Sequence, residues 1–474
     1  MGTTLPRRDF LKAAPAAAAG TLAGASLAAE AMASGEASVL GAIREQPRQT
    51  PVVHECDLCV IGGSCTGVFA AVAAARLGAK VALVELNGFF GGVATASLVN
   101  IWHSLEDRFA KQQIIAGLTA EVIDRLRRRD AVTGEHVLNT EVLKLELDRM
   151  VVEADVRPFL HTMFVAPVVE GDRMTAAIIE DKSGRRAIRA KQFVDASGDA
   201  DVVARMGLEV YRREQMQPPT MCCILRGLKA IAKAHPGFNV HHVIFDKQYE
   251  QALRKGFAWS SQVPADCGCP DEAIVPGGDD HRMLAGTRVF GVDCSDADQL
   301  TQAELEGRRQ VNAVCELLRA HFLGGRGVPL VSLPAKLGIR ETRHVRCLHQ
   351  LTVDELITGK RFPDAIANGT YHIDVHSAQG AGVKFRELNR DALFYQIPYA
   401  SLVPRGAKNV LIAGRSIDAD EQAFGAVRVM VNCNQMGQAA GVAAWLALDS
   451  NTEVAALDTA KLRATLARQG AVMR

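Results

Sequence analysis

The sequence predicts an α/β fold built on a parallel sheet, and three features of the chain indicate it. A short apolar strand over residues 58–61 leads into a glycine-rich turn, a helix of small apolar residues and a second strand over 80–84, which is the length of a βαβ unit. Further buried strands are predicted over 192–195 and 409–412. Between these two strands, residues 211–334 carry loop signals and, over 301–322, a helical spacing of apolar residues that includes Leu305. We therefore expect a Rossmann-like nucleotide-binding domain that carries an inserted α+β domain.

The N-terminal segment resembles a twin-arginine signal peptide. Residues 7–12 read RRDFLK, residues 13–29 are rich in alanine, and residues 31–33 supply the small side chains that a signal peptidase accepts. We expect removal of residues 1–33 after the twin-arginine machinery has exported the folded protein to the periplasm. The alternative is a basic, alanine-rich helix of a cytosolic protein. No stable membrane insertion is expected, because alanine and glycine bury little apolar area.

The bulk composition argues against several classes of partner. The 474 residues carry a net charge of +1 and are 5% aromatic, which disfavours a nucleic-acid surface. The eleven cysteines leave at least one unpaired in a monomer. Cys56 and Cys59 point to opposite faces of a strand, which favours core filling over a redox pair. No cysteine has partners at the spacing of a zinc site, so no metal is predicted.

The turn after the first strand has the residues of a dinucleotide-binding loop. Gly62 permits a sharp turn, Gly67 permits close packing of helix and strand, and the helix N-terminus attracts a pyrophosphate. Glu85 lies about 20 residues downstream, where a carboxylate accepts hydrogen bonds from ribose and disfavours a 2′-phosphate. Ser64 replaces the middle glycine of the usual fingerprint, and its hydroxyl can donate to phosphate. The predicted binding residues are Gly62, Gly63, Ser64, Thr66, Gly67 and Glu85. The alternative is an ordinary βαβ unit in an unrelated α/β fold.

A second glycine cluster follows Glu85 directly, which is unusual for an NAD dehydrogenase. Residues 87–96 read NGFFGGVATA. This segment resembles the FAD-dependent oxidoreductases of the glutathione-reductase-like class, in particular the FAD_oxidored family. The resemblance implies non-covalent binding of FAD, with Gly91, Gly92, Ala94 and Thr95 along the pyrophosphate and the flavin.

Two later blocks are similar to the same family. Residues 192–199 form a strand that ends in small residues and Asp199, and residues 409–441 contain another such strand followed by a glycine-rich and alanine-rich helix. The resemblance implies an adenine end near the first block and a helix N-terminus at the flavin near the second. It implies these further FAD-binding residues: Val165, Ser197, Gly198, Asp199, Gly414, Arg415, Gln435, Gly437 and Gln438. The alternatives are a plain strand and turn, and tight helix packing.

The substrate side of the protein is predicted less specifically. Hydride transfer needs a group that moves the accompanying proton and a cation that holds anionic substrate or reduced flavin. Segments 337–343 and 371–376 resemble family segments near the flavin, and they supply Arg340 and His376. Arg340 and Arg428 are the candidate cations, and His376 is the proton-transfer candidate, with a structural role as the alternative. His103 is a weaker candidate.

Two departures from the family put a transfer of its chemistry in doubt. The chain has Glu421 and Gln422 where relatives often have His and Glu. It also has Asn432 and Asn434 where relatives tend to be apolar.

The resulting prediction is an FAD-dependent dehydrogenase that transfers a hydride between a small organic substrate and FAD. In the periplasm the electron partner is expected to be a quinone or a cytochrome. The alternatives are an FAD-binding accessory or electron-transfer protein without turnover, and an NAD-binding dehydrogenase. The predicted organisation is a signal peptide (1–33), a linker (34–52), a first part of the FAD domain (53–210), a substrate-capping region (211–334), a second part of the FAD domain (335–450) and a C-terminal tail helix (451–474).

Overall fold

The computed structural model describes residues 43–254, 256–264, 281–380, 382–389 and 391–474. The predicted signal peptide, part of the predicted linker and two cysteines, Cys267 and Cys269, lie outside the described residues. Residues 43–49 have no regular secondary structure, and residues 50–474 form one compact unit.

The described residues contain strands in two or more sheets and helices between them. In chain order, the strands are β1 (Val52–Ile61), β2 (Val81–Val84), β3 (Val132–Thr133), β4 (Val137–Leu138), β5 (Arg157–Phe159), β6 (Met163–Glu170), β7 (Arg173–Asp181), β8 (Gly184–Asp195), β9 (Val210–Tyr211), β10 (Cys223–Leu225), β11 (Trp259–Gln262), β12 (Arg282–Ala285), β13 (Leu330–Ser332), β14 (His344–Val345), β15 (Ala365–Gly369), β16 (Ile373–His376), β17 (Val383–Arg386), β18 (Tyr395–Pro398) and β19 (Val410–Ile412). The α-helices are α1 (Cys65–Ala75), α2 (Leu118–Arg127), α3 (Thr140–Glu153), α4 (Asp201–Arg205), α5 (Leu228–Ala234), α6 (Val240–Val243), α7 (Ala297–Phe322), α8 (Val353–Ile357), α9 (Glu421–Val427), α10 (Met430–Asp449) and α11 (Thr459–Arg468). The 3₁₀ turns are Gly92–Ala94, Tyr399–Leu402 and Val454–Ala456.

The main sheet confirms the predicted α/β fold. Its described strands run in the order β5-β2-β1-β8-β7-β6, and β19 also pairs with β8. The pairings β1–β2, β1–β8, β2–β5 and β8–β19 are parallel, whereas β6, β7 and β8 form an antiparallel meander. Strand β1 begins six residues before its predicted start because His54, Glu55 and Asp57 interrupt its apolar residues, which hides its first half from a search for apolar runs.

Helices α1 and α10 pack backbone to backbone beside this sheet. A Cβ atom added to Gly437 would lie 2.0 Å from the Thr66 carbonyl oxygen, and one added to Gly441 would lie 2.0 Å from the Ala70 carbonyl oxygen. Only glycine permits such an approach, so Gly437 has a packing role in this fold. This packing fixes α1, and with it the glycine turn that precedes α1.

The inserted region has its own sheet and its own apolar core. Strands β10–β13 form an antiparallel sheet in the order β11-β12-β10-β13. The helix predicted over 301–322 begins four residues earlier, where the Asp296 side chain accepts from the Gln299 N–H. The prediction of Leu305 in the apolar face of this helix is wrong, because Leu305 is 62% exposed. The buried face follows the helical row through Ala303, Gly307, Val311, Val314 and Leu318.

The cysteines and the chain's C-terminal segment complete the fold. Every cysteine of the described residues is buried and unpaired, including Cys56 and Cys59.

The predicted tail helix is shorter than segment 451–474, since α11 spans only Thr459–Arg468. Among the described residues, no helix combines the length and the apolar character that crossing a membrane requires. No group of three potential metal-ligating side chains is found in the same residues.

Candidate functional site

A cavity of about 560 Å³ lies where the carboxyl ends of β1, β8 and β19 face the inserted sheet. Residues that directly follow these strands, Gly62, Ala196 and Ala413, line one side of it. Trp259 and Ala285, from β11 and β12, line another part of its wall. Ligands of open α/β sheets bind at such carboxyl ends, and the volume is typical of a ligand pocket.

The structure brings most of the residues predicted from sequence into this cavity. The predicted residues that line it are Gly62, Ser64, Thr66, Glu85, Gly91, Gly92, Ser197, Gly198, Arg340, His376, Gly414, Arg415 and Arg428. Residues from the N-terminal part of the compact unit and residues from its C-terminal part therefore line the same cavity.

The two glycine segments contact each other directly. Ser64 forms an isolated parallel bridge with Gly91, and the Gly91 N–H donates to the Gly63 carbonyl at 2.8 Å. A Cβ added to Gly92 would lie 2.6 Å from the Ser64 Cβ, so this approach needs glycine. The Ser64 side chain does not cap α1. The serine that departs from the usual fingerprint therefore fits between the two segments and keeps its hydroxyl available.

Glu85 is held at the wall of the cavity by backbone donors. Its carboxylate accepts from the Gly63 N–H at 2.6 Å and from the Asn87 N–H at 2.7 Å. Gly63 thus acts on the site through Glu85 and does not itself line the cavity. A fixed, buried carboxylate at this position can accept hydrogen bonds from ribose hydroxyls.

Several predicted cofactor residues lie outside the cavity wall. They are Gly63, Gly67, Ala94, Thr95, Val165, Asp199, Gln435, Gly437 and Gln438. The Thr95 hydroxyl donates to the Phe90 carbonyl at 2.7 Å, and Asp199 accepts from Arg415 at 3.0 Å. Gly67 packs against the Gly62 carbonyl, and Val165 is half-buried in the meander strand β6. Their direct contact with a cofactor stays a prediction.

The C-terminal residues among these have structural partners within the protein. The Gln435 amide hydrogen-bonds the Asn368 backbone N–H and carbonyl, and Gln438 accepts from the Leu118 N–H. The part of α10 that faces the cavity is its first turn, at Met430, Cys433 and Asn434.

Unsatisfied polar atoms show that the cavity suits a polar ligand. Nη1 of Arg415 and both polar side-chain atoms of Asn434 are buried without a hydrogen-bond partner among the described residues. Both residues line the cavity. Buried polar groups are rarely left unpaired in native proteins. A nucleotide with phosphate and carbonyl groups would pair with them, so the residues fit FAD.

Asp374 is the centre of the polar cluster in the other part of the cavity. Its Oδ2 accepts from the Tyr371 hydroxyl at 2.8 Å and from Arg428 at 3.1 Å, and its Oδ1 lies 3.4 Å from Nε2 of His376. Burial raises the pKa of Asp374, but the hydrogen bond from His376 and the charge of Arg428 outweigh it, and the net pKa is lowered. Asp374 is therefore ionised at neutral pH. The period-two repeat of a strand places Asp374 and His376 on one face, a signal that could have identified Asp374 from the sequence.

His376 is neutral, and each of its ring nitrogens lies close to a charged side chain. Nη2 of Arg288 lies 3.3 Å from its Nδ1. A guanidinium can only donate, so Nδ1 accepts and Nε2 carries the hydrogen towards Asp374. Burial and then the charge of Arg340 lower the pKa of His376 to about 2. These contacts favour the structural role that the sequence left open for His376, and its part in proton transfer stays a prediction. No sequence signal singled out Arg288, which reaches the cluster only through the tertiary fold.

The structure places His103, the weaker candidate, beside Tyr371. It lines the cavity, and its ring lies 4.0 Å from the ring of Tyr371. None of the described residues hydrogen-bonds its ring nitrogens. Burial and then the charge of Arg428 lower the pKa of His103 to about 4. At neutral pH the imidazole is therefore uncharged.

Comparisons with known proteins place the chain in a family. No curated protein matches it. A geranylgeranyl bacteriochlorophyll reductase-like protein from Thermoplasma acidophilum shares 12% identity with a TM-score of 0.44, covering 88% of this chain and 84% of that one. A p-nitrophenol 4-monooxygenase from Pseudomonas putida shares 12% identity with a TM-score of 0.40, covering 84% and 81%. The myxobacterial chondrochloren halogenase shares 12% identity with a TM-score of 0.40, covering 88% and 79%. The model of the family described as FAD dependent oxidoreductase matches residues 57–466, so the chain belongs to this family and its cofactor is FAD.

Proposed function

We propose that this protein is a dehydrogenase that transfers a hydride between a small organic substrate and FAD. The observation that carries the proposal is the polar cluster of Arg340, Asp374, His376 and Arg428 in the same cavity as the glycine segments. Bound FAD supplies the two-electron chemistry. The protein supplies charge, orientation and a route for the proton.

Each residue of the cluster has a role that follows from its contacts. Arg340 and Arg428 place positive charge on the cavity wall, where it stabilises negative charge that develops on substrate or cofactor. Asp374 fixes the orientation of Arg428 and of Tyr371. His103 exchanges the proton that accompanies the hydride. Trp259 and Phe257 line the wall from the inserted region and give it an apolar surface.

Anaerobic reduction of the bound flavin tests this assignment. Mixed with a panel of small alcohols, hydroxy acids and saturated acids, wild-type protein should lose its yellow colour with at least one compound. His103→Gln and Arg428→Gln should each slow that reduction by about 10²-fold, which is the usual contribution of one acid–base or charge-stabilising group. His242→Gln and Arg226→Gln are matched controls, because both side chains are exposed.

The outcomes separate the alternatives. Reduction at the wild-type rate in both cavity variants would remove the proposed roles. A protein that binds FAD but is reduced by no compound of the panel would favour the accessory or electron-transfer function.

We also propose that the protein is exported to the periplasm and passes electrons to a quinone or a cytochrome. The support is residues 7–33, which have the pattern of a twin-arginine signal peptide. Soluble NAD(H) is not expected in that compartment. Replacing Arg7 and Arg8 by lysine should retain the protein in the cytoplasm, as measured by fractionation and immunoblotting. Periplasmic recovery of the doubly substituted protein would contradict this route.

A further inference from the structure

We infer that the substrate carries a carboxylate group, which binds to the free edge of the Arg340 guanidinium. The inference rests on the proposed function, since it names the substrate class of the same site. It follows from an excess of guanidinium groups around Asp374, and from the hydrogen-bonding groups that Arg340 leaves unused.

Two guanidinium groups share a single hydroxyl. Nη1 of Arg288 donates to Oγ1 of Thr220 at 2.7 Å, and Nη1 of Arg340 donates to the same atom at 2.6 Å. Two like charges at such a short separation repel each other, and the repulsion is stronger away from bulk water. An arrangement of this kind is stable when an anion lies nearby.

The protein supplies less negative charge than the cluster needs. Asp374 is the carboxylate of the cluster, and it is already engaged with Arg428, Tyr371 and His376. Among the residues that the structure describes, no carboxylate lies within ion-pair distance of Arg288 or Arg340. Three guanidinium groups therefore face one carboxylate, and His376 is neutral. Burial and the neighbouring guanidinium groups lower the pKa of Arg340. A bound anion would compensate this excess of positive charge.

Arg340 presents the edge that suits a carboxylate. Its Nη1 donates to the Pro218 carbonyl and to Thr220, whereas its Nε and Nη2 have no hydrogen bond to any described residue. These two N–H groups are parallel, and they match the two oxygens of a carboxylate in a bidentate pair. Because Arg340 lines the cavity, a substrate can reach this edge.

The rest of the wall indicates an apolar body next to the carboxylate. The rings of Phe257, Trp259 and Phe385 line the cavity together with Arg340. Apolar and aromatic walls with a few placed polar groups are typical of sites for small organic molecules. The substrate class is therefore a small carboxylic acid with a hydrophobic portion.

Calorimetric titration of the purified holoprotein with unreactive acids tests the inference without turnover. The probes are benzoate and phenylacetate, each paired with its neutral amide. Wild-type protein should bind at least one acid at least tenfold more tightly than its amide. Arg340→Gln should weaken binding of that acid by about tenfold or more, and Arg340→Lys should restore only part of the loss. Arg226→Gln, at an exposed position, should leave acid binding unchanged.

Three results would overturn the inference: no binding of either acid to wild-type protein, equal affinity for acid and amide, or an unchanged acid affinity in Arg340→Gln. In the last case a shifted flavin reduction potential would show that Arg340 serves the cofactor. Acid binding that depends on Arg340 in a protein that no carboxylic acid reduces would uphold the carboxylate site and remove the proposed hydride transfer. The two failures are therefore distinguishable.

Discussion

Gly62→Ala is expected to give a protein that is purified without FAD. Gly62 has a φ of +102°, in a region that residues with a side chain rarely adopt. A Cβ at this position would also lie 2.4 Å from the Ala196 carbonyl oxygen and 2.8 Å from the Ser197 nitrogen. Both contacts are with backbone, which cannot rotate away. The turn after β1 and the turn after β8 must therefore separate, and both turns line the cavity.

Gly78→Ala is the matched control for this prediction. Gly78 has a φ of +95°, but a Cβ added there meets no atom within 4 Å. Both variants carry the cost of a left-handed backbone, about 1–3 kcal/mol, and only Gly62→Ala adds the collision. The measurements are the FAD content per protein and the midpoint of urea unfolding. Equal FAD content in the two variants would show that the collision between the two turns does not govern cofactor binding.

The nucleotide half of the site was predictable from sequence because its signals are local. The turn at Gly62, the helix α1 and the carboxylate of Glu85 lie within one βαβ unit, where spacing along the chain determines spacing in the fold. The same holds for the strands that end at Asp195 and Ile412, each of which delivers small residues to the cavity.

The start of α10 was not predictable in the same way. Helices α9 and α10 are separated only by Arg428 and Val429, neither of which is a usual helix-breaking residue. The glycine and alanine residues of the motif at 437–441 therefore mark the middle of α10 and not its first residue. There these residues serve packing against α1, whereas the turn that faces the cavity begins at Met430.

The polar cluster depends on contacts between distant segments, and this limited the prediction. Arg288 comes from the inserted region and reaches His376 across 88 positions of sequence. His376 could be identified from the sequence, but the contacts of its ring nitrogens with Arg288 and Asp374 could not. The contacts of His376 therefore favour the structural role that the sequence left open, and His103 stays a candidate for proton transfer.

Asp374→Asn is expected to destabilise the holoprotein by about 3 kcal/mol at pH 7, because it removes the negative partner of a buried ion pair. The pKa of Asp374 is lowered in the folded protein, so the folded state favours the ionised form. Its contribution is therefore fully present above the unfolded pKa of about 3.9 and is lost as the pH falls through the lower folded value. Urea unfolding of both proteins should show a difference that is largest at neutral pH and that shrinks below about pH 4.

The same substitution is expected to slow flavin reduction by about 10²-fold or more, because Arg428 and Tyr371 lose the carboxylate that orients them. Loss of stability alone could mimic this effect, so Glu146→Gln is the control. Glu146 is also buried, and it pairs with Arg129 at 2.9 Å and with Arg149 at 2.8 Å, outside the cavity. Both variants should unfold at lower urea concentration, but only Asp374→Asn should change the rate of reduction and its dependence on pH. If Glu146→Gln slows reduction equally, the effect of Asp374 is one of global stability, and the cluster does not act on the substrate.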